Sequence, residues 1–299
     1  MTTAGVDPHP VLVTGATGTV GRHVVRGLLE RGRPVRAAVR DPARADLPPG
    51  VETVRLVFGD AGTYEAAFDG VGGLFLMRPP QIADVREKIL PALAAARRAG
   101  VERVAFLSLQ GAGRNRFVPH RRIEDDLREH GPAWTMLRAG FFLQNLIDPH
   151  GPDIAERDEI FLPAGAGRTA FVDARDVAEA AAIGLAEPEH EHRAYELTGR
   201  EALTYRQVAA ALSEVLGREI RYVDAAPWSF WTRMRARGHP RAQVAVMLAL
   251  YTSCRLGLAA HVSPDLERVL GRPPRDVHAF ARYAADAWRR TPTRSDAAG

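Results

Sequence analysis

The sequence predicts an α/β fold in which a parallel, doubly wound sheet is followed by a smaller C-terminal region. Over residues 9–148, short apolar segments alternate with longer amphipathic segments, which is typical of βαβ units. The apolar segments are nearly continuous, as expected of strands that helices cover on both faces. After Asp148 the alternation weakens, and residues 149–290 are predicted to form a smaller, mainly helical region that binds the substrate.

Each element of the first region follows from this pattern. Apolar runs bounded by glycine, proline or charged residues predict strands at residues 10–15, 34–40, 51–60, 73–77, 103–109 and 133–139. Apolar residues at helical spacing predict helices at residues 19–32, 64–71, 82–100 and 123–130. A later helix at 174–187 and a strand at 194–198 are expected to pack back onto this sheet. Residues 1–8 and 291–299 are expected to be disordered.

The bulk composition excludes several classes of protein. No apolar run reaches the ~20 residues that span a bilayer, and the N-terminus lacks a signal pattern, so a cytoplasmic protein without a membrane partner is expected. The single cysteine, Cys254, excludes an internal disulfide and a cysteine-based metal cluster, and no metal site is predicted. The net charge is +4, but arginines and acids are interspersed, so no nucleic acid partner is expected. The chain is predicted to be a monomer or homodimer.

A glycine-rich loop follows the first predicted strand and opens a helix. Gly15, Gly18 and Gly21 have the spacing G-x-x-G-x-x-G, and the strand–loop–helix context gives that spacing its meaning. Gly15 permits the tight turn, Gly18 lets the backbone approach a pyrophosphate, and Gly21 lets the helix pack closely. The helix N-terminus supplies N–H groups for phosphate. This is the signature of a Rossmann dinucleotide site.

The residue after the second strand favours NADP(H) over NAD(H). An NAD site usually has an acidic residue there for the ribose hydroxyls, whereas Arg40 offers a guanidinium that can grip a 2′-phosphate. Asp41 leaves NAD(H) open, and Arg44 is either an assisting cation or a solvated loop charge. Asp60 either accepts from the adenine amino group or caps its loop.

Motifs in a fixed order resemble one family. The segments "VTGATGTVG", "VFGDAGTYEAAFDGV", "LREHGPAWTMLRAGFFLQNL", "RDVAEAA" and "YELTGREALTYRQVAAALSEVLGREIRYVD" are similar to those of NmrA-like atypical short-chain dehydrogenase/reductases, over residues 10–288. The resemblance implies a Rossmann fold that binds NADP(H), and a pocket between the sheet and the C-terminal region. The family includes quinone reductases, reductases of secondary metabolism and nucleotide-sensing regulators. The expected cofactor contacts are Gly15, Thr17, Gly18, Thr19, Val20, Gly21, Arg40, Asp60, Met77, Arg78, Ser108, Arg122 and Phe141.

The stretch "RVAFLSLQGAGRNRFVPHRRIEDDL" lacks a catalytic pair that typical short-chain dehydrogenases have. They carry Tyr-x-x-x-Lys on the helix after the fifth strand, where the tyrosine protonates a reduced carbonyl. None of the six tyrosines here precedes a lysine by four residues, and the only lysine is Lys88 on another helix. Arg121 or Arg122 occupies the stretch where relatives often keep a lysine, and a guanidinium is no general acid near neutral pH.

The missing pair restricts the chemistry. Reduction of an isolated ketone makes an alkoxide that needs a strong proton donor, whereas a quinone, an iminium or an activated alkene does not. His120 and Tyr251 are the candidate proton donors. Alternatively, His120 is a solvent-exposed residue at a helix N-terminus, and Tyr251 is a core or lid tyrosine. The predicted substrate contacts are apolar or aromatic and suit a flat hydrophobic molecule. They are Phe142, Asn145, Trp228, Trp231 and Tyr251.

Three functions therefore remain open. The first is an NADP(H)-dependent oxidoreductase that reduces a small conjugated acceptor. The second is a regulatory protein of the NmrA type that senses the nucleotide without turnover. The third is a non-redox enzyme of secondary metabolism on the same fold.

Overall fold

The computed structural model describes residues 9–289, so both predicted disordered tails, 1–8 and 291–299, lie outside the described residues. The strands are β1 (Val11–Thr14), β2 (Val35–Val39), β3 (Glu52–Arg55), β4 (Gly73–Met77), β5 (Arg103–Leu109), β6 (Ala133–Ala139), β7 (Phe141–Phe142), β8 (Glu159–Leu162), β9 (Arg168–Val172), β10 (Arg193–Leu197), β11 (Ala202–Thr204) and β12 (Arg221–Asp224). The helices are α1 (Gly21–Glu30), α2 (Tyr64–Phe68), α3 (Val85–Lys88), α4 (Leu90–Arg98), α5 (Pro119–His130), α6 (Gly151–Arg157), α7 (Ala174–Ala186), α8 (Tyr205–Leu216), α9 (Pro227–Ala236), α10 (Arg241–Arg255), α11 (Asp265–Leu270) and α12 (Val277–Ala284).

These residues divide into two compact units. The first unit comprises residues 9–139, Ala174–Leu197 and Asp265–Arg272. The second unit comprises Gly140–Asp173, Thr198–Pro264 and residues 273–289. Each unit has its own hydrophobic core.

The first unit contains a seven-stranded sheet in the order β10-β6-β5-β4-β1-β2-β3. Every neighbouring pair is parallel, which confirms the predicted Rossmann architecture. Val13 at the centre pairs with Ala37 of β2 on one side and Phe75 of β4 on the other. The chain order reverses at β1, and the carboxyl edge beside such a reversal is where open α/β sheets bind ligands.

Helices cover this sheet on both faces, which is why its strands are apolar throughout. Helices α1 and α7 pack against each other, and α7 also contacts β4, β5 and β6. Helices α2, α4 and α5 contribute to the core of this unit with Leu74, Phe106 and Ile123, all of which are buried. The central strand β1 is fully buried over Val11–Val13.

Segments from later in the chain complete the first unit. Helix α7 and strand β10 lie where the sequence predicts a helix at 174–187 and a strand at 194–198. Helix α11 also belongs to this unit, although residues 149–290 are otherwise predicted to form one region. A carboxylate oxygen of Asp265 accepts from the Glu196 backbone N–H at 3.0 Å, and Arg272 donates to Asp176 at 2.8 Å. Such pairings over long sequence distances are not visible in local patterns.

Two predicted elements are shorter than expected. The helix predicted at 82–100 is divided into α3 and α4, which meet at Ile89. Pro91 lies in the first turn of α4, where its missing N–H costs no helical hydrogen bond. The strand predicted at 51–60 ends at Arg55, and a turn follows in which Gly59 has a φ of +92°.

The second unit contains more strand than the predicted, mainly helical region. One sheet has the order β11-β9-β7, and a second consists of β12 and β8 in parallel. These strands have two to five residues, too short for a clear alternation of apolar and polar residues. Helices α8, α9, α10 and α12 surround a core that includes Tyr205, Phe230 and Trp288.

In the described part of the chain, every helix is too short or too polar to cross a membrane. The cytoplasmic location stays a prediction from the N-terminal sequence.

Candidate functional site

The glycine loop is tightly packed in the first unit. Gly15 has a φ of +62°, a conformation that side chains rarely adopt, and a Cβ there would lie 2.2 Å from the Met77 terminal methyl carbon. A Cβ on Gly21 would lie 2.1 Å from the Gly15 carbonyl oxygen. The start of α1 therefore approaches the loop backbone at a distance that only glycine permits.

Backbone donors point out of this loop. The Gly18 N–H donates to the Gly15 carbonyl oxygen at 2.8 Å, which closes the turn. Within residues 9–289, the N–H groups of Thr17, Thr19 and Val20 donate to no protein acceptor. Helix α1 begins directly afterwards and has no acidic residue in its first turn. Free N–H groups at a helix N-terminus suit a pyrophosphate.

Thr14 holds the sheet at the point where β1 and β4 separate, a role that the sequence reasoning missed. Its hydroxyl O–H donates to the Phe75 carbonyl at 3.0 Å, and its hydroxyl oxygen accepts from the Met77 N–H at 2.8 Å. The backbone pairing of the two strands reaches only Val13 and Phe75. The sequence feature that could have predicted this role is a hydroxyl residue at the last position of the strand before the glycine loop.

A cleft of about 410 Å³ opens at the carboxyl ends of β1, β2, β3 and β4. It contains the glycine loop, the end of β2 with Arg40, and two largely apolar walls. Its lining residues are Thr14, Gly15, Thr17, Gly18, Ala38, Val39, Arg40, Leu56, Val57, Phe58, Met77, Pro79, Pro80, Gln81 and Ile82. The volume and the apolar walls suit an adenosine group beside the phosphate donors.

Arg40 is the free cation of this cleft. Its side chain is exposed, and it makes no ion pair or hydrogen bond with residues 9–289. The neighbouring Asp41 is engaged, because its carboxylate accepts from the Ala43 N–H at 3.2 Å and lies 4.0 Å from Arg44. Arg44 itself is 87% exposed. Asp41 thus takes part in its own loop, whereas the Arg40 guanidinium is exposed without a partner among residues 9–289.

Two predicted cofactor contacts have structural partners. Of the two roles considered for Asp60, the structure shows the capping role: its carboxylate accepts from the Gly62 N–H at 3.2 Å and pairs with Arg55 at 3.3 Å. Asp60 is not among the residues that line the cleft, whereas Phe58 is. Arg78 donates to the carbonyl oxygens of Pro79, Pro80 and Ile82, the last at 2.6 Å. Arg78 thereby binds the backbone of three residues that line the cleft.

A buried ion pair lies at the ends of β5 and β6. Glu124 of α5 is fully buried and accepts from Arg138 at 2.7 and 2.9 Å, from Ser108 at 2.7 Å and from Arg128 at 3.0 Å. Burial favours the neutral acid, but the hydrogen bonds from Arg138 and Ser108 outweigh it and lower the pKa of Glu124. The Ser108 hydroxyl, predicted to contact the cofactor, is therefore committed to a carboxylate.

Arg121, Arg122 and His120 lie at the start of α5, in the stretch where typical short-chain dehydrogenases carry the tyrosine and the lysine. The three side chains differ in their burial and their partners. Arg121 is held by Asp125 at 2.7 Å and by the Gly113 carbonyl at 2.7 Å, whereas Arg122 is exposed. His120 is partly buried, and its Nδ1 has no hydrogen-bond partner among residues 9–289. Burial and the nearby Arg78 lower the pKa of His120 to about 4. His120 is thus neutral at pH 7 and a weak acid.

The predicted substrate residues lie in the second unit, and so does Phe141, which was predicted to contact the cofactor. Phe141 and Phe142 form β7, where they pair with Phe171 and Val172, and both remain partly accessible. Asn145 follows in a short turn and is also partly accessible. Trp231 packs against the core of this unit, whereas Trp228 is 76% exposed.

Tyr251, the second candidate proton donor, is a core residue. It is 4% exposed, and its hydroxyl oxygen lies 2.5 Å from the Nε2 of His150. Burial raises the pKa of the Tyr251 hydroxyl far above its usual range, so it holds its proton tightly. The structure shows the core role that the sequence left as an alternative.

The buried histidine predicts a loss of stability in acid. Burial, assisted by Arg237 and His239, outweighs the opposing Asp153 and lowers the pKa of His150 to about 4. The unfolded chain, with a pKa near 6.5, therefore binds a proton that the folded chain does not bind between these values. We expect the titration of His150 to lower the unfolding free energy by about 1–3 kcal/mol as the pH drops from 7 to 4.5.

Urea unfolding as a function of pH tests this expectation. His150→Gln removes the titrating group and is expected to flatten the dependence on pH, whatever it does to stability at pH 7. His130→Gln, at a histidine whose side chain is 54% exposed, is the matched control and is expected to leave the slope unchanged. An unchanged slope in His150→Gln contradicts the prediction.

Comparisons with known proteins agree with this geometry. The model of the NmrA-like family matches residues 8–255. The chain is 36% identical over 286 residues to an NAD(P)H azoreductase of Xenophilus azovorans, and the match covers 93% of this chain and 99% of that protein. The resemblance stated from the motifs is thereby confirmed.

Solved structures point the same way. An NADPH-dependent quinone oxidoreductase of Escherichia coli, complexed with NADPH, has a TM-score of 0.81 and 26% identity, over 92% of this chain and 99% of that chain. A triphenylmethane reductase of Citrobacter sp., complexed with NADP(H), has a TM-score of 0.79 and 26% identity over the same shares. The chain therefore belongs to the NmrA-like family.

Proposed function

We propose that this protein uses NADPH to reduce a small, flat, conjugated acceptor of the quinone type. The observation that carries the proposal is the cleft of the first unit, where unpaired N–H groups of the glycine loop stand beside the unpaired guanidinium of Arg40. The N–H groups suit the pyrophosphate and Arg40 suits the 2′-phosphate. The walls contributed by Leu56–Phe58 and Pro79–Ile82 suit the adenine ring.

The weakness of the available acids supports the choice of acceptor. In the described part of the first unit, both tyrosine hydroxyls are engaged: Tyr64 accepts from the Gly59 N–H, and Tyr195 is bonded to His190. His120 is neutral at pH 7. A bound nicotinamide supplies the hydride. The quinone accepts this hydride and then a proton from water, and its anion is far less basic than an alkoxide.

Anaerobic mixing of the purified protein with NADPH and a panel of acceptors tests the proposal. We expect oxidation of NADPH, followed by its absorbance, with naphthoquinones, and no measurable oxidation with isolated ketones of similar size. Turnover of ketones at a comparable rate contradicts the argument from the missing acid. The absence of oxidation with every acceptor, together with tight binding of both NADPH and NADP⁺, favours the nucleotide-sensing alternative.

A further inference from the structure

The connection between β5 and α5 ends in an exposed aromatic and basic tip. We define the tip as Arg114–Phe117, with the sequence Arg-Asn-Arg-Phe. The Phe117 side chain is 96% exposed, the largest fraction among the exposed large apolar side chains of residues 9–289. Arg114 and Arg116 are exposed, and neither makes an ion pair in that part of the chain. A phenylalanine directly after two free cations is an unusual use of surface, since large aromatic side chains are usually buried.

Hydrogen bonds hold the base of the tip in place. The Gly113 carbonyl oxygen accepts from Arg121 at 2.7 Å, and a Cβ on Gly113 would lie 2.7 Å from the Arg138 guanidinium. Within the tip, the Asn115 side-chain oxygen accepts from the Phe117 N–H at 2.9 Å. The tip is therefore positioned by its stem, and Phe117 is presented to solvent by a defined turn.

The tip follows the strand next to the cofactor cleft. Leu107 of β5 pairs with Met77 of β4, and Met77 lines the cleft. On the other side of the tip, His120 is close enough to Arg78 for its pKa to be lowered by that charge. Both ends of the connection thus lie at the carboxyl edge of the sheet, on the side of β4 that faces away from the glycine loop. A dinucleotide held with its adenosine in the cleft would have its other end on the β5 and β6 side of this edge.

We propose that the tip binds the acceptor. The Phe117 ring packs on the face of a flat aromatic molecule, and Arg114 and Arg116 pair with an acidic substituent of the same molecule. The protein consequently prefers conjugated acceptors that carry a sulfonate or carboxylate over neutral ones of the same shape. This inference rests on the proposed function, because it names the substrate class of the same reaction.

The experiment combines turnover with binding. Initial rates with NADPH are measured for 1,4-naphthoquinone and 1,4-naphthoquinone-2-sulfonate, and the full chain loaded with NADP⁺ is titrated with naphthalene-2-sulfonate and with 2-naphthol. In the double variant R114Q/R116Q, we expect the KM for the sulfonated quinone and the Kd for naphthalene-2-sulfonate to rise about five- to twentyfold. Values for the neutral partners are expected to change less than twofold. The parent's preference is expected to shrink as salt is added.

Phe117→Ala separates the aromatic contribution from the charge. It is expected to raise the KM and the Kd about tenfold for charged and neutral ligands alike, because both have the same ring. The control variant R26Q/R98Q removes the same charge from exposed arginines on α1 and α4 and is expected to behave like the parent. NADPH affinity is expected to stay unchanged in all three variants.

The outcomes distinguish the two proposals. If the parent reduces quinones but the tip variants match R26Q/R98Q, the inference about the tip is wrong and the oxidoreductase function stands. If the parent reduces nothing, yet binds naphthalene-2-sulfonate through the tip, the acceptor chemistry is wrong and the tip remains an aromatic anion site. Equal losses for charged and neutral ligands in R114Q/R116Q overturn the predicted preference for acidic acceptors.

Discussion

Arg40→Glu is expected to weaken NADPH binding at least tenfold while NADH binding holds steady or improves. Arg40 is exposed at the rim of the cleft and has no ion-pair partner among residues 9–289. A charge-assisted contact with the 2′-phosphate contributes on the order of 1.5–3 kcal/mol, roughly ten- to a hundredfold in affinity. The new carboxylate adds repulsion toward the phosphate, and it offers the ribose hydroxyls of NADH an acceptor.

Paired fluorescence titrations of one purified variant and its parent with both cofactors measure this effect. Arg44→Glu is the matched control, since it places the same charge change on a residue that is 87% exposed and four positions away. Its effect on NADPH is expected to stay below threefold at physiological ionic strength. An equal drop for both cofactors in Arg40→Glu shows that Arg40 supports the loop. An unchanged NADPH affinity places the 2′-phosphate elsewhere, and Arg44 is then the first residue to test.

Glu124→Gln is expected to cost about 3 kcal/mol of unfolding free energy at pH 7, at the lower end of the range for a broken buried pair, because Arg138 then keeps only Glu196, at 3.4 Å, as an acidic partner. The Glu124 carboxylate is fully buried and accepts four hydrogen bonds from Arg138, Ser108 and Arg128. The hydrogen bonds that Arg138 donates to Glu124 raise the pKa of Arg138 in the parent. In the variant the guanidinium still keeps its proton, because arginine is not deprotonated in proteins. Urea unfolding of the full chain measures the loss.

A neighbour on the same helix provides the control. Asp125 is half exposed and pairs with Arg121 and Arg128 at the surface, so Asp125→Asn is expected to cost less than about 1 kcal/mol. The double variant E124L/R138M removes both charges and is expected to be more stable than Glu124→Gln. If Glu124→Gln costs no more than Asp125→Asn, the buried pair does not stabilise the fold.

Local patterns predicted the elements near the site well. The segments Gly73–Met77, Arg103–Leu109 and Ala133–Ala139 are strands at the predicted bounds, because buried parallel strands are continuous apolar runs. The glycine spacing identified the loop because its requirements are local: Gly15 needs a positive φ, and Gly21 needs the space that a Cβ would fill. Arg40 was identifiable because it directly follows a strand whose position relative to the loop is common to the fold.

Pairings between residues far apart in the chain could not be predicted from local sequence patterns. The segment Asp265–Arg272, which contains α11, joins the first unit through contacts with residues 69 and 96 positions earlier in the chain. The two small sheets of the second unit are built from strands of two to five residues, too short to show a period. Two signals were present but unused: Arg138 in an apolar strand and Glu124 on the apolar face of a helix. Each requires a buried partner.

The sequence by itself determined most elements of the parallel sheet and the glycine loop, since both depend on neighbours within about ten residues, and it determined the family through motifs in a fixed order along the chain. Only the tertiary structure decided which side chains of the candidate site have partners within the fold and which do not. Asp60, Asp41, Ser108 and Tyr251 are occupied by partners, whereas Arg40 and the tip around Phe117 remain available. The physical reason is that a side chain's chemistry depends on its burial and its hydrogen-bond partners, and folding brings those partners from distant parts of the chain.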